Sequence, residues 1–123
     1  MTDQSFGRKL RLLTASDYKA VFGKAEFKVS SPQLLILAIK SGYETPRLGL
    51  VIAKKHIRQA VQRNRIKRLL RESFRAHQQL LNELDIVILA RSGADSLDNK
   101  TFVILIEKLW QDLIRRRKRL TAR

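Results

Sequence analysis

The chain has no cysteine among its 123 residues, which excludes disulfide staples, thiolate metal sites and cysteine nucleophiles together. Its fold must stand on packing alone. Acidic side chains are scarce as well. Only 11 Asp and Glu face 26 Lys and Arg, and the resulting net charge of +15 excludes a surface that neutralises itself and calls for a polyanionic partner, nucleic acid first. There are 2 histidines, His56 and His77, far apart and in no spacing that serves a metal site or a general base. No run approaches the roughly 18 to 20 apolar residues of a spanning helix, and the N-terminus has no signal-like apolar segment. A cytoplasmic protein without a membrane partner is therefore expected.

What is present suits one modest core: 44% of the residues are hydrophobic, so residues 1–123 are read as a single domain. Residues 1–13 carry Arg8, Lys9 and Arg11 with few core signals and read as a basic N-terminal arm. Thr14-Ala-Ser-Asp17 has the form of a helix N-cap with an acid three residues on, and Tyr18, Val21 and Phe22 follow at helical spacing before Gly23. Three aliphatic segments come next, Phe27 to Val29, Leu34 to Ile39 after Pro32, and Leu48 to Ala53 after Pro46, separated by turn formers such as Gly42. They read as three strands in a meander. Apolar residues from Ala60 to Leu81 gather on one side of a helical wheel, with His77 on that buried face. Asp85 to Ala90 reads as a buried strand, Ser92 to Ser96 as a loop, and Phe102 to Ile114 as an amphipathic final helix. Asp95 and Asp98 stand where carboxylates cap helix amides. The basic run Arg115 to Arg119 closes that helix and opens a basic tail, 115–123. The order is αβββαβα, an α+β class.

Charge concentrates between Lys54 and Arg75, where nine basic side chains accompany a single acid, Glu72. On the wheel, Asn64, Arg68, Arg71 and Arg75 form a stripe nearly opposite Ile66, Leu70 and Phe74. Such runs are usually solvated faces, but solvated faces mix signs and this one does not, so phosphate binding is favoured. Arg63 falls near the apolar side and is placed at the helix entrance.

Ala53-Lys-Lys-His-Ile-Arg58 followed by Ala60-Val-Gln-Arg-Asn-Arg-Ile-Lys-Arg-Leu-Leu-Arg71 resembles the signature of the bacterial ribonuclease P protein family, with Arg63-Asn64-Arg65 at its centre. The resemblance extends to Leu10–Thr14, Asp17–Phe22, Leu48–Leu50 and Asp85–Arg91, which is nearly the whole chain in the family's order. It implies a two-layer αβββαβα sandwich on a mixed sheet, with a left-handed crossover through the central helix; pattern alone would give the right-handed crossover. It further implies binding of the ribonuclease P catalytic RNA by Lys54, Lys55, Arg58, Arg63, Asn64, Arg65, Lys67, Arg68, Arg71 and Arg75. The single-stranded 5′ leader of precursor tRNA is implied to lie in a cleft of Tyr18, Phe22, Leu35, Leu37, Val51 and Ala53. Leu37 stands where some relatives carry an aromatic residue, and helical spacing alone would leave Tyr18 and Phe22 as ordinary core.

By the same resemblance the enzyme is a ribonucleoprotein: Mg²⁺ held mainly by the RNA subunit hydrolyses the phosphodiester, and the protein binds leader, offsets charge and lowers the magnesium requirement. No catalytic or metal-ligating residue is assigned to the protein, whose acids are scattered, and no obligate protein partner is expected. The main alternative is a ribosomal or other structural RNA-binding protein of similar size and charge. A DNA-binding regulator and a nuclease acting without RNA are weaker readings. The first lacks base-reading diversity on its helix, and the second lacks a carboxylate or histidine cluster.

Overall fold

Helix α1 (Ala15–Lys24) begins at a capping box. The Thr14 hydroxyl accepts from the Asp17 amide at 3.1 Å, and the Asp17 carboxylate accepts from the Thr14 amide at 3.2 Å, so two end amides are satisfied reciprocally. The helix continues through Gly23, where the sequence signalled its end, and stops at Ala25. A computed structural model describes residues 10–12 and 14–121, so the basic arm over 1–13 lies outside the described residues except for Leu10, Arg11 and Leu12.

Strands β1 (Phe27–Ser30), β2 (Leu34–Lys40), β3 (Arg47–Val51) and β4 (Leu84–Ala90) form one sheet in the order β1-β2-β4-β3. The expected meander is therefore corrected. β4 inserts between β2 and β3, antiparallel to β2 and parallel to β3, and the α2 helix (Ala60–Ala76) joins the two parallel strands. A meander was favoured by short connections, but β2, β3 and β4 are apolar on both faces, and such strands carry no signal of which neighbour they take. β3 also ends at Val51 rather than Ala53.

The main core lies between the sheet and the two long helices, α2 and α3 (Asn99–Thr121). Phe27, Val29, Leu34, Ile36, Ala38, Ile86 and Ile88 meet Ile66, Leu70 and Phe74 of α2 and Phe102, Ile106 and Leu113 of α3. Trp110 is fully buried between the helices, and its indole N–H donates to the Ser73 hydroxyl at 2.8 Å, which satisfies both buried polar groups. α1 lies across part of the opposite sheet face through Val21, which is fully buried with Leu12 and Val87.

α2 stops at Ala76, short of the expected Leu81. His77 caps it: its amide bonds to the Phe74 carbonyl, its ring Nδ1–H donates to the Ser73 carbonyl at 2.8 Å, and its ring packs by Trp110. The ring is half-buried rather than on a buried helical face. Arg117 of α3 donates to the Leu80 and Asn82 carbonyls, and Glu83 turns the chain into β4 with φ of 67°. Leu81 stays buried but Leu80 is exposed. The basic run Arg115–Arg119 is helical, since α3 reaches Thr121. Asp98 caps α3 by accepting from the Thr101 amide at 2.8 Å.

Candidate RNA interface

The α2 stripe and the open sheet face are the two surfaces that the sequence singled out. Asn64, Lys67, Arg68, Arg71 and Arg75 line one groove of about 420 Å³, together with Glu72 and with Arg11 from the preceding segment. Arg11 reaches it because residues 10–12 run beside β3: Arg11 bridges to Leu48, and the Leu12 amide donates to the Leu48 carbonyl at 3.1 Å. Burial holds the Arg71 guanidinium below its ordinary pKa, and the like charge of Arg11 adds to the effect. A group strained in this way gains when an anion arrives.

The other basic residues divide into two sets. Lys54, Lys55 and Arg58 are exposed on the loop before α2 and do not line this groove. His56 is beside them, its Nδ1 sharing a hydrogen bond of 2.9 Å with Ser92. Arg63 and Arg65 turn into the protein. Arg63 lies at the helix entrance, as expected, and donates to the carbonyls of Ile57 at 2.9 Å and Arg58 at 2.8 Å. Arg65 donates to Gln62 Oε1 at 2.9 Å, Asn99 Oδ1 at 2.7 Å, the Asp95 carbonyl at 3.1 Å and the Leu97 carbonyl at 2.9 Å. It ties α2 to the start of α3. One sequence signal pointed there, because Arg65 is four residues before the buried Leu69 and shares its side of the helix.

On the open sheet face, cross-strand register sets Leu35, Leu89 and Val51 in one row and Leu37, Val87 and Gly49 in the next. Tyr18, Leu37 and Val51 pack in one apolar cluster with Val21, Ile39, Val87 and Leu89, of which the three strand residues Ile39, Val87 and Leu89 were not assigned to the cleft from the sequence. Their signal was hidden in runs apolar at every position. Leu35 and Ala53 are half-buried, and Phe22 is 47% exposed one turn beyond Tyr18. At the far end of the face, Arg47 grips the buried Asp85 in a bidentate pair at 2.9 and 2.7 Å. Asp17 stands 3.8 Å from the same guanidinium, and the Tyr43 ring centroid 5.0 Å from it. The hydrogen bond to Asp85 chiefly raises the Arg47 pKa, so this cation is permanently charged. No local pattern signals the pairing, which joins residues 38 positions apart.

The two surfaces meet. Tyr18 and Leu12 share a pocket of about 160 Å³ with Leu48, Leu50, Arg11, Lys67 and Arg71. The Tyr18 ring and three cationic side chains, Arg11, Lys67 and Arg71, thus border one concavity, in which a base could stack beside a bound phosphate. Among the described residues no three His, Asp or Glu side chains gather as a metal site. None of the described helices is long and apolar enough to cross a membrane.

The ribonuclease P family model matches residues 6–114. The chain is 50% identical over 115 residues to the ribonuclease P protein component of Haemophilus influenzae strain PittGG, covering 94% of this chain and 96% of that one. It is 52% identical over 117 residues to the ribonuclease P protein component of Pseudomonas putida strain F1, covering 95% and 87%. Among solved structures, it is similar to a Staphylococcus aureus RNase P protein mutant with defective mRNA degradation activity (TM-score 0.79, 26% identity, 85% and 87% covered). It is also similar to the RNase P protein from Thermotoga maritima (TM-score 0.70, 27% identity, 82% and 96% covered).

Proposed function

The chain belongs to the ribonuclease P protein family, and from that membership we propose that it binds the catalytic RNA through the α2 groove and the precursor-tRNA leader through the cleft under α1. The observation that carries this reading is the shared pocket of Arg11, Tyr18, Lys67 and Arg71, which makes a phosphate-binding stripe continuous with an aromatic, apolar floor.

The physical task is to bring a polyanionic substrate against a polyanionic RNA. Each phosphate neutralised by Lys or Arg releases condensed counterions, so binding is tight at low salt and weakens linearly in log salt. A protein of net charge +15 placed between the two RNAs also screens their repulsion, which lowers the magnesium needed to hold them together. In the cleft, Tyr18 and Phe22 offer ring faces to bases of any identity, at roughly 1–3 kcal/mol per stacked base, and Leu35, Leu37 and Val51 exclude water beneath them. Loose leader-sequence preference follows. Arg68 and Arg71 supply planar donor forks for phosphates, whereas Arg63 and Arg65 hold the helix and its neighbouring loops in place. In this reading the magnesium that hydrolyses the phosphodiester is held mainly by the RNA subunit, and this chain contributes binding and charge rather than a chemical step.

The test is cleavage of a precursor tRNA by a bacterial ribonuclease P RNA at low magnesium, with the protein present, absent, or carrying Arg68→Ala and Arg71→Ala together. The expected result is cleavage with RNA plus wild-type protein, weakened in the variant, and none with protein alone. Tight binding to structured RNA without any enhancement of cleavage would overturn the reading.

A further inference from the structure

Gly49 is buried in the middle of β3, where glycine is a poor choice: it lacks a side chain to pack and loses the most backbone freedom on folding. Its backbone is not in the left-handed region that requires glycine, so an L-residue could adopt the same conformation. What glycine supplies here is space. A β-carbon at position 49 would lie 2.7 Å from Cζ of Tyr18 and 2.8 Å from both its Cε2 and its hydroxyl oxygen, closer than carbon contacts allow. The phenol end of Tyr18 thus rests directly on the strand backbone. The helix that carries the ring is anchored by the Thr14 cap and the fully buried Val21, so relief of the clash falls to the ring itself.

We propose that Gly49 is a positioning residue for the leader-binding cleft: by lacking a β-carbon it sets the height and tilt of the Tyr18 ring against the sheet. The inference rests on the leader reading given above and deepens it. With the ring seated on Gly49, the row Leu37–Val87–Gly49 is capped by an aromatic surface at its β3 end, and the same ring forms a wall of the pocket that holds Arg11, Lys67 and Arg71. A larger residue at 49 lifts the ring into that pocket and narrows the passage between cleft and basic groove.

Two measurements on Gly49→Ala, Tyr18→Ala and the double variant test this. The first is the ratio of holoenzyme affinities for precursor tRNA and mature tRNA, which isolates the leader. Gly49→Ala should lower the ratio roughly fivefold or more, the lower end of what one stacked base contributes, and the double variant should be no worse than Tyr18→Ala alone. The second is thermal melting of the protein. Gly49→Ala should lower the melting temperature when Tyr18 is present and leave it unchanged or raise it when Tyr18 is already Ala, since the strand then gains a better residue without a clash. Equal destabilisation in both backgrounds overturns the proposal, because the ring is then not what glycine accommodates. A ratio lowered by Tyr18→Ala but not by Gly49→Ala overturns the role of Gly49 alone. Coupled melting with an unchanged ratio in both single variants overturns the leader reading of the cleft, and the positioning role with it.

Discussion

Arg65→Ala and Arg68→Ala should part company, although the two arginines are three residues apart on one basic helix. Arg65 makes four hydrogen bonds, three of them partly buried, to Gln62, Asn99, Asp95 and Leu97. The carbonyls it leaves are near enough to the surface to be rehydrated, so each partly buried bond is worth about 0.5–1 kcal/mol and the exposed one little. Their sum is about 2 kcal/mol, a sizeable part of the 5–15 kcal/mol that typically holds a domain folded. For a chain of this size that lowers the melting temperature by roughly 8 °C. Arg68 is exposed and bonds to no described residue, so Arg68→Ala should move stability by less than about 0.5 kcal/mol.

RNA affinity should behave in the opposite way. Losing Arg68 removes about one phosphate contact and flattens the slope of log affinity against log salt by roughly 0.7–0.9. Losing Arg65 should weaken binding only through local loosening, with the slope nearly unchanged. Calorimetric melting of each variant, and titration of ribonuclease P RNA at several salt concentrations, give both quantities. If Arg65→Ala melts like the wild type and lowers the salt slope, its guanidinium meets RNA and its internal bonds are incidental.

Asp85→Asn removes the buried anion under Arg47 and should destabilise by about 2–3 kcal/mol, less than a fully buried pair because Arg47 keeps some solvent and Asp17 nearby; the urea midpoint reads it. Ser73→Ala leaves the Trp110 indole N–H buried without an acceptor and should lower stability by about 1–3 kcal/mol, with a change in tryptophan fluorescence. The Asp98 carboxyl is held below its ordinary pKa, first by its bond to the Thr101 amide. Its folded value is below its unfolded one, so its contribution is present above about pH 4 and is lost as pH falls through the depressed value. Amide exchange at Thr101 should quicken in acid, and Asp98→Asn should remove that pH dependence, since Asn also caps without titrating.

Element type was legible in the sequence wherever a local rule acted alone. The α1 start was written in Thr14 and Asp17, whose side chains satisfy two amides within four residues. The two faces of α2 were written in its 3.6-residue period, and Ile66, Leu70 and Phe74 are fully buried as that period required. Strand neighbours were not legible, since β4 is buried on both faces and pairs equally well with either flank. The end of α2 was not legible either. Gln78, Gln79 and Leu80 continue a helical pattern, and it is Arg117, 37 residues beyond Leu80, that takes up the carbonyls there. Within the basic cluster, charge pointed to a polyanionic partner but not to which arginines are outward. A guanidinium that can reach a carbonyl inside the protein, as those of Arg63 and Arg65 do, looks in sequence the same as one that cannot.

The insertion of β4 between β2 and β3 has a functional consequence. It makes β3 an edge strand, and exposed edges invite unwanted pairing. Here the edge is occupied by residues 10–12, which bring Arg11 to the α2 groove and Leu12 to the apolar cluster under α1. Along its short length β3 sends Leu48 into the main core, turns Gly49 toward Tyr18 and Val51 to the open face, and holds Asp85 through Arg47. A meander would have put β3 beside β2, with β4 at the edge. The parallel crossover instead keeps α2, and so its arginines, on the edge that carries the aromatic pocket. Continuity of charge and stacking surface is therefore a property of strand order, and a substitution that frees residues 10–12 from Leu48 should weaken RNA-subunit and leader binding together.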